Sequence, residues 1–402
     1  MQHSIRNYAL VTGAYWAFTL TDGALRMLVL LHFYTLGYSA FQIALLFLFY
    51  EFCGVVTNLV GGWIGSRLGL KVTLFTGLAL QVIALGLLAL FDPTWSVAFG
   101  VSYVMSAQAL SGIAKDFTKM SAKTSIKTLV PEGEHGTLFK WVSILTGSKN
   151  ALKGVGFFLG GVLLTGLGFQ NALFAMAVSL AVVLVLAILS LPSGLGKAKA
   201  KVKFSHILSK SADINCLSAA RFFLFGSRDI WFVVGLPLFL ASNLDWSHAQ
   251  VGGYMAAWVI GYGVVQATVP KLLKNNPIGP DGATSCSWIL ALIVVTFAIA
   301  SALLVDVYPG LVVGVGLMVF GVVFAINSAV HSYLILAYSH VEDAALNVGF
   351  YYMANAAGRL AGTFLSGLAY QWGGLLTCLG ISAAFLIAAW GLSFKLPRAA
   401  NP

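Results

Sequence analysis

Long apolar stretches separated by short polar breaks run through almost the whole chain. About 20 apolar residues span a bilayer as a helix, and stretches of that length recur about twelve times. The predicted helices cover residues 8–35, 40–64, 71–91, 95–114, 137–167, 170–191, 213–242, 248–269, 284–305, 310–337, 347–371 and 374–394. The pattern predicts an all-α polytopic membrane protein with 12 transmembrane helices.

One long polar segment, residues 192–212, divides the chain into predicted six-helix bundles at 1–191 and 213–402. Its five lysines are expected to lie in the cytoplasm against anionic lipid headgroups. Similar short motifs follow the first and seventh predicted helices, LGYS at 36–39 and LDWS at 244–247. This duplication resembles the major facilitator fold, in which binding is expected at the midplane between the two halves.

Composition agrees with a membrane protein, because 59% of the 402 residues are hydrophobic and only 9% are charged. The net charge of +10 reflects basic loops that alternate with loops free of Lys and Arg, so it does not indicate nucleic-acid binding. The alternation predicts that both termini are cytoplasmic. Four scattered cysteines form no CxxC pair, which argues against a metal site or a thiol-seeking cargo.

The loop between the second and third predicted helices reads GWIGSRLGLK from Gly62 to Lys71. It resembles the major facilitator loop signature G-x-x-x-D-R-x-G-R-K. Gly62 and Gly69 would allow close helix approach, and Arg67 would anchor a cytoplasmic gate. Ser66 replaces the acid of the signature, so the usual charge-based latch is in question.

Several cations lie about halfway along the predicted helices, with few acids beside them in the sequence: Arg26, Lys149, Lys153, Arg228 and Arg359. A charge at the centre of a bilayer costs about 2.5–3.5 kcal/mol, so these side chains are expected to face a polar cavity and bind an anion. Arg221 is either a contact at the cytoplasmic mouth or a snorkelling side chain. Tyr351, Tyr352 and Trp16 either line the cavity or pack between helices.

Three carboxylates at similar depth are candidates for proton coupling: Asp22, Glu51 and Asp229. Asp22 shares a helix face with Arg26, so an ion pair within the helix is the alternative. Glu51 either carries protons or pairs with a lysine, and Asp229 is expected to pair across helices. Asn327 and His331 are predicted to form a satisfied polar pair, with a coupling site as the alternative.

Lysines also recur every fourth residue after the fourth predicted helix, at 115, 119, 123 and 127. This spacing places them along one slowly drifting helix face. Two explanations remain open. One is ordinary cytoplasmic positive charge, and the other is a ladder that gathers anions at the mouth of the transporter.

A more specific resemblance rests on the segments YWAFTLTDGALRMLVLLHF, LFYEFCGVVTNLVGG, QALSGIAKDFTKMSAKTSIK and KWVSILTGSKNALKGVGFFLGG. These segments resemble the ArsJ family of bacterial organoarsenical efflux permeases. The resemblance implies export of 1-arseno-3-phosphoglycerate, formed when glyceraldehyde-3-phosphate dehydrogenase uses arsenate in place of phosphate. It also implies an inner-membrane permease that confers arsenate resistance. We expect a monomer without a cofactor or enzymatic activity.

Proton antiport is expected but not required, because the membrane potential already favours the exit of an anion. One alternative is an exchanger of organophosphate for phosphate. A membrane enzyme or sensor is the other, and it is disfavoured because the sequence offers no nucleophile–base set, metal cluster or soluble domain.

Overall fold

The computed structural model describes most of the chain as α-helix, and its described part contains no strand. It describes residues 2–68, 70–129, 135–192, 211–272, 280–305, 308–338 and 344–398. The helices are α1 (Gln2–Thr35), α2 (Ala40–Leu46), α3 (Leu48–Leu68), α4 (Leu70–Ala89), α5 (Val97–Leu129), α6 (His135–Ser190), α7 (Ala212–Phe232), α8 (Gly235–Ser242), α9 (His248–Leu272), α10 (Gly282–Leu304), α11 (Pro309–Ala337) and α12 (Ala344–Ser393).

In the described part, eight helical stretches are long and apolar enough to cross a membrane. Two of them, Gly147–Ser190 and Asn347–Ser393, have 44 and 47 residues, enough for two crossings each at about 20 residues per crossing. Both are interrupted by non-helical glycines, Gly168 in α6 and Gly373–Gly374 in α12. These breaks fall where the sequence predicts the ends of separate helices. The all-α polytopic architecture predicted from the sequence is therefore confirmed in the described part of the chain.

The predicted seventh helix is divided into α7 and α8 near Val234. Pro237 has no backbone N–H, so it cannot complete a hydrogen bond to the preceding turn. The hydroxyl of Ser366 on α12 accepts from the backbone N–H groups of Val234 and Gly235 at 3.1 and 3.2 Å. A buried side chain thus satisfies the donors at the break.

Contacts along the chain define two compact units. Unit 1 comprises Met1–Leu36, Phe52–Phe204 and His248–Val259. Unit 2 comprises Gly37–Glu51, Ser205–Ser247 and Ile260–Pro402. Each unit is built around one close pair of helices, α1 with α6 in unit 1 and α7 with α12 in unit 2.

Glycines bring the backbones of each helix pair together. In unit 1, a Cβ on Gly156 would lie 2.5 Å from the carbonyl oxygen of Leu20. In unit 2, a Cβ on Gly362 would lie 2.7 Å from the carbonyl oxygen of Gly226. Only residues without a side chain fit such contacts, and small residues commonly allow close helix approach in membranes. We call these two lines of close backbone contact, at Gly156 and at Gly362, the glycine seams. Each seam holds the charged residues of its two helices at a fixed position relative to each other.

Candidate functional site

Unit 1 places an acid of α1 beside a lysine of α6. The Asp22 carboxylate lies 3.7 Å from the Lys153 ammonium group, directly beside the glycine seam. Asp22 is buried and Lys153 is mostly buried. Arg26 follows Asp22 by one turn, and Lys149 precedes Lys153 by one turn; both are partly buried. Three cations and one acid thus share the middle of this helix pair.

Unit 2 contains a larger charged network on α3, α7 and α12. The Arg359 guanidinium donates to Glu51 at 2.7 Å through Nη2 and to Asp229 at 3.1 Å through Nε. The other oxygen of Asp229 accepts from the neighbouring Arg228. Both acids are only 1% exposed. This arrangement confirms the prediction that Asp229 pairs across helices.

The expectation that the mid-helix cations lack acidic neighbours is therefore wrong for Lys153, Arg228 and Arg359. Their acids come from other helices or from the adjacent position, and a helix-by-helix search of the sequence does not reveal cross-helix partners. Glu51 pairs with Arg359, an arginine partner that the sequence analysis did not anticipate. Removing one partner of a buried ion pair costs about 3–5 kcal/mol, so these pairs contribute strongly to each unit's integrity.

Arg221 on α7 differs from the other arginines, because its partners are neutral. Its Nε donates to the Asn355 side chain at 2.9 Å, and its Nη1 donates to the carbonyl and hydroxyl oxygens of Ser328 at 3.3 Å each. The side chain is 4% exposed, and no described carboxylate lies within ion-pair distance of it. The guanidinium of Arg221 is thus held between α11 and α12.

Aromatic side chains cover the faces of the Arg221 guanidinium. Its central carbon lies 3.7 Å from the ring centroid of Phe225 and 5.0 Å from that of Tyr351. Tyr351 is fully buried and belongs to an apolar cluster with Leu217 and Val330. Tyr351 is thus a packing residue that also contacts a cation. Trp16, in contrast, donates from its indole nitrogen to Ser148 at 3.0 Å.

Asn327 and His331 do not form the predicted satisfied pair. His331 Nε2 lies 2.9 Å from the Ser285 hydroxyl on α10. Its Nδ1 and both amide atoms of Asn327 make no hydrogen bond to the described residues, and both side chains are fully buried. Unsatisfied buried polar atoms cost about 1–3 kcal/mol each, so this polar patch on α11 has unused hydrogen-bonding capacity.

One buried acid was missed by the sequence analysis. Asp116 on α5 is fully buried and accepts hydrogen bonds from Thr57 and from Lys119, which also donates to Asn58 at 2.9 Å. The signal was present, since Asp116 lies between Lys115 and Lys119 in the predicted ladder. Lys119 therefore ties α5 to α3. The side chains of Lys123 and Lys127 lie outside the described residues.

The predicted gating residues fall outside the described part of the chain. Gly69 is not described, and neither are the side chain of Arg67 and the burial of Gly62. Within the described chain, no group of three metal-ligating side chains occurs. The four cysteines are free thiols.

Apolar helices of membrane-spanning length with buried, paired charges define the class as a multi-pass α-helical membrane protein. The chain matches the model of the Major Facilitator Superfamily over residues 11–280. It therefore belongs to this superfamily of transporters.

A solved structure shares the fold over nearly the whole chain. It is the crystal structure of a POT family transporter in complex with a thioalcohol-conjugated peptide. Similarity covers 96% of this chain and 94% of that one, with a TM-score of 0.71 and 14% sequence identity. No curated protein matches the chain.

Proposed function

We propose that the chain exports 1-arseno-3-phosphoglycerate from the bacterial cytoplasm and thereby confers arsenate resistance. Transport proceeds by alternating access in the inner membrane, with both termini in the cytoplasm and the 192–212 linker joining the two bundles. The choice of cargo follows the resemblance of the sequence to organoarsenical efflux permeases. The superfamily assignment supports transport as the general activity.

The observation that carries the proposal is the buried cation without an acidic partner, Arg221. A buried charge is unfavourable unless it is compensated, and its three hydrogen bonds to neutral oxygens leave its charge in place. A negatively charged cargo supplies the missing compensation. Arginine also presents a planar fork that matches the oxygens of phosphate, arsenate and carboxylate.

The charged residues of the two helix pairs support an anionic cargo for a second reason. Cations outnumber acids among the candidate cargo-binding and proton-coupling residues predicted from the sequence: there are six cations (Arg26, Lys149, Lys153, Arg221, Arg228 and Arg359) and three acids (Asp22, Glu51 and Asp229). The cargo carries a phosphate and an arsenate ester, both hard oxyanions that suit ammonium and guanidinium groups. Pairing with carboxylates reduces this excess without removing it.

We place proton antiport at the same pairs. In antiport the cargo leaves on the deprotonated carrier, and a proton taken up outside by Asp22, Glu51 or Asp229 returns to the cytoplasm on the empty carrier. Each acid already has its cationic partner within 4 Å. Proton coupling then needs no residues beyond these acids and the cations with which they pair.

Arsenate resistance tests the function. Arsenate-sensitive bacteria expressing the chain should grow at arsenate concentrations that stop cells carrying an empty vector. The gain should require an active glyceraldehyde-3-phosphate dehydrogenase, because the cargo is made by that enzyme. A catalytically dead dehydrogenase is the matched control. Equal growth with and without the chain, at verified membrane expression, would reject the proposal.

A further inference from the structure

We infer that Arg221, held by Asn355, Ser328 and Tyr262, forms an oxyanion subsite within unit 2. Its ligand group is a terminal phosphoryl, arsenyl or carboxylate group. The identity of the whole cargo rests on the proposed function, whereas the subsite rests on the geometry alone. Asn355, Ser328 and Tyr262 come from α12, α11 and α9, so three helices converge on one guanidinium of α7.

The Arg221 guanidinium is engaged through two of its three nitrogens. Nε donates to Asn355 and Nη1 donates to Ser328, whereas Nη2 donates to no group in the described chain. Phe225 and Tyr351 lie against the guanidinium and restrict its movement. The Nη2 edge is thus held in a fixed direction with its donors unused. A fixed fork loses little freedom when it binds an oxyanion.

Arg221 differs from Arg228 and Arg359 in the charge of its partners. Arg228 and Arg359 are engaged by carboxylates, so an incoming anion must displace a negative partner. The partners of Arg221 are neutral and orient the group without cancelling its charge. Of the three, Arg221 is therefore the cation that an oxyanion reaches without breaking an ion pair.

Tyr262 on α9 supports the Ser328 side chain that holds Arg221. The Tyr262 hydroxyl donates to the Ser328 hydroxyl at 3.0 Å, and that hydroxyl also accepts from Arg221. We assign Tyr262 a positioning role that acts through Ser328. It fixes the orientation of Ser328 and through it the direction of the guanidinium.

Binding to the purified full-length protein tests the subsite, with inorganic phosphate, glycerate and 3-phosphoglycerate as probes in isothermal titration. Arg221→Lys keeps the charge but loses the fork, and it should weaken 3-phosphoglycerate binding about tenfold, equivalent to about 1.4 kcal/mol. Arg221→Gln should weaken it at least as much. Tyr262→Phe should weaken binding about threefold to tenfold. Tyr333→Phe, which alters an exposed tyrosine of α11, is the matched control.

Comparison of the probes identifies the group that occupies the subsite. If Arg221→Lys and Tyr262→Phe weaken phosphate but not glycerate, a phosphoryl group is bound there; the reverse result indicates a carboxylate. Because Arg221→Gln can fail to fold, the Lys and Phe variants decide the outcome. Affinities of both equal to that of Tyr333→Phe for all three probes would overturn the subsite.

The outcome is separable from that of the proposed function. If these variants lose affinity but the wild-type chain confers no arsenate resistance, the subsite stands and the cargo assignment fails. If the chain confers resistance and the variants bind every probe normally, the cargo assignment stands and the subsite is overturned.

Discussion

Three arginines on α7 and α12 lie close together in the fold but have different partners. Arg359 bridges two carboxylates, Arg228 pairs with one, and Arg221 contacts only neutral oxygens. These partners determine whether the positive charge of each arginine is neutralised. Arg359 and Arg228 belong to a balanced network, and Arg221 contributes an uncompensated positive charge.

Replacement of Arg359 by Gln should destabilise the protein. Glu51 would lose its described cationic partner while buried, and Asp229 would keep only Arg228. The expected loss is about 3 kcal/mol, seen as a fall of about 5 °C in the unfolding midpoint of the detergent-purified protein. The double variant Glu51→Gln with Arg359→Gln removes the stranded charge and should recover most of the loss. A double variant as unstable as Arg359→Gln would show that the ion pair does not determine stability here.

Replacement of Glu51 by Gln should also change proton coupling. A glutamine cannot release a proton, so export by this variant should no longer respond to an imposed pH gradient. The measurement is the initial rate of export in vesicles with and without the gradient. The conservative change Glu51→Asp retains a titratable group and serves as the control. A Gln variant with the wild-type gradient response would remove Glu51 from the coupling mechanism.

Depth along the helices was predictable from the sequence, but partners were not. Counting residues places Asp229 and Arg359 near mid-helix, because the helix rise is constant. Their contact depends on helix rotation and on the packing of α7 against α12, which one sequence does not specify. Asp116 was missed for a different reason, because its partner Lys119 lies one turn away on the same helix, beyond residue 114 where the fourth predicted helix ended.

At the scale of elements, both units share one arrangement, in which a glycine seam lies beside an ion pair between two helices. Gly156 and Gly362 occupy equivalent places beside the ion pairs Lys153–Asp22 and Arg359–Asp229. In unit 1 an acid of α1 pairs with a cation of α6, and in unit 2 an acid of α7 pairs with a cation of α12. Close backbone contact keeps each pair at hydrogen-bonding or near-contact distance.

Replacement of Gly156 by Ala should weaken unit 1. The new Cβ would lie 2.5 Å from the carbonyl oxygen of Leu20, and backbone on both sides cannot yield without separating the helices. Overpacking of this kind costs about 1–3 kcal/mol, which thermal unfolding would detect. Gly166→Ala, on the same helix with nothing within 4 Å, is the control. Equal midpoints for the two variants would show that the seam is not tightly packed.

Element boundaries were predicted well where glycine ends a helix. Gly168 has φ 73° and ψ 175°, a conformation essentially restricted to glycine, and it lies between the predicted fifth and sixth helices. The division of the predicted seventh helix was not anticipated, although Pro237 signalled it. Apolar patterning continues across that break, so hydropathy alone does not reveal it.

At the scale of the molecule, the sequence pattern predicted the superfamily fold, because apolar length and loop charge determine how a helical chain crosses a bilayer. The family model confirms that assignment. Cargo is not encoded by the fold, since one architecture serves many substrates. The choice of an arsenylated, phosphorylated acid rests on sequence resemblance and on the excess of buried positive charge.

Transport into everted membrane vesicles tests the central claim most directly. The dehydrogenase, glyceraldehyde 3-phosphate, NAD and radiolabelled arsenate are supplied outside, so that the labelled ester forms on the cytoplasmic face. Vesicles containing the chain should accumulate label faster than vesicles without it, only when the dehydrogenase is active, and faster still with an imposed proton gradient. Equal accumulation in both kinds of vesicle, with the protein verified in the membrane, would contradict export of the organoarsenical.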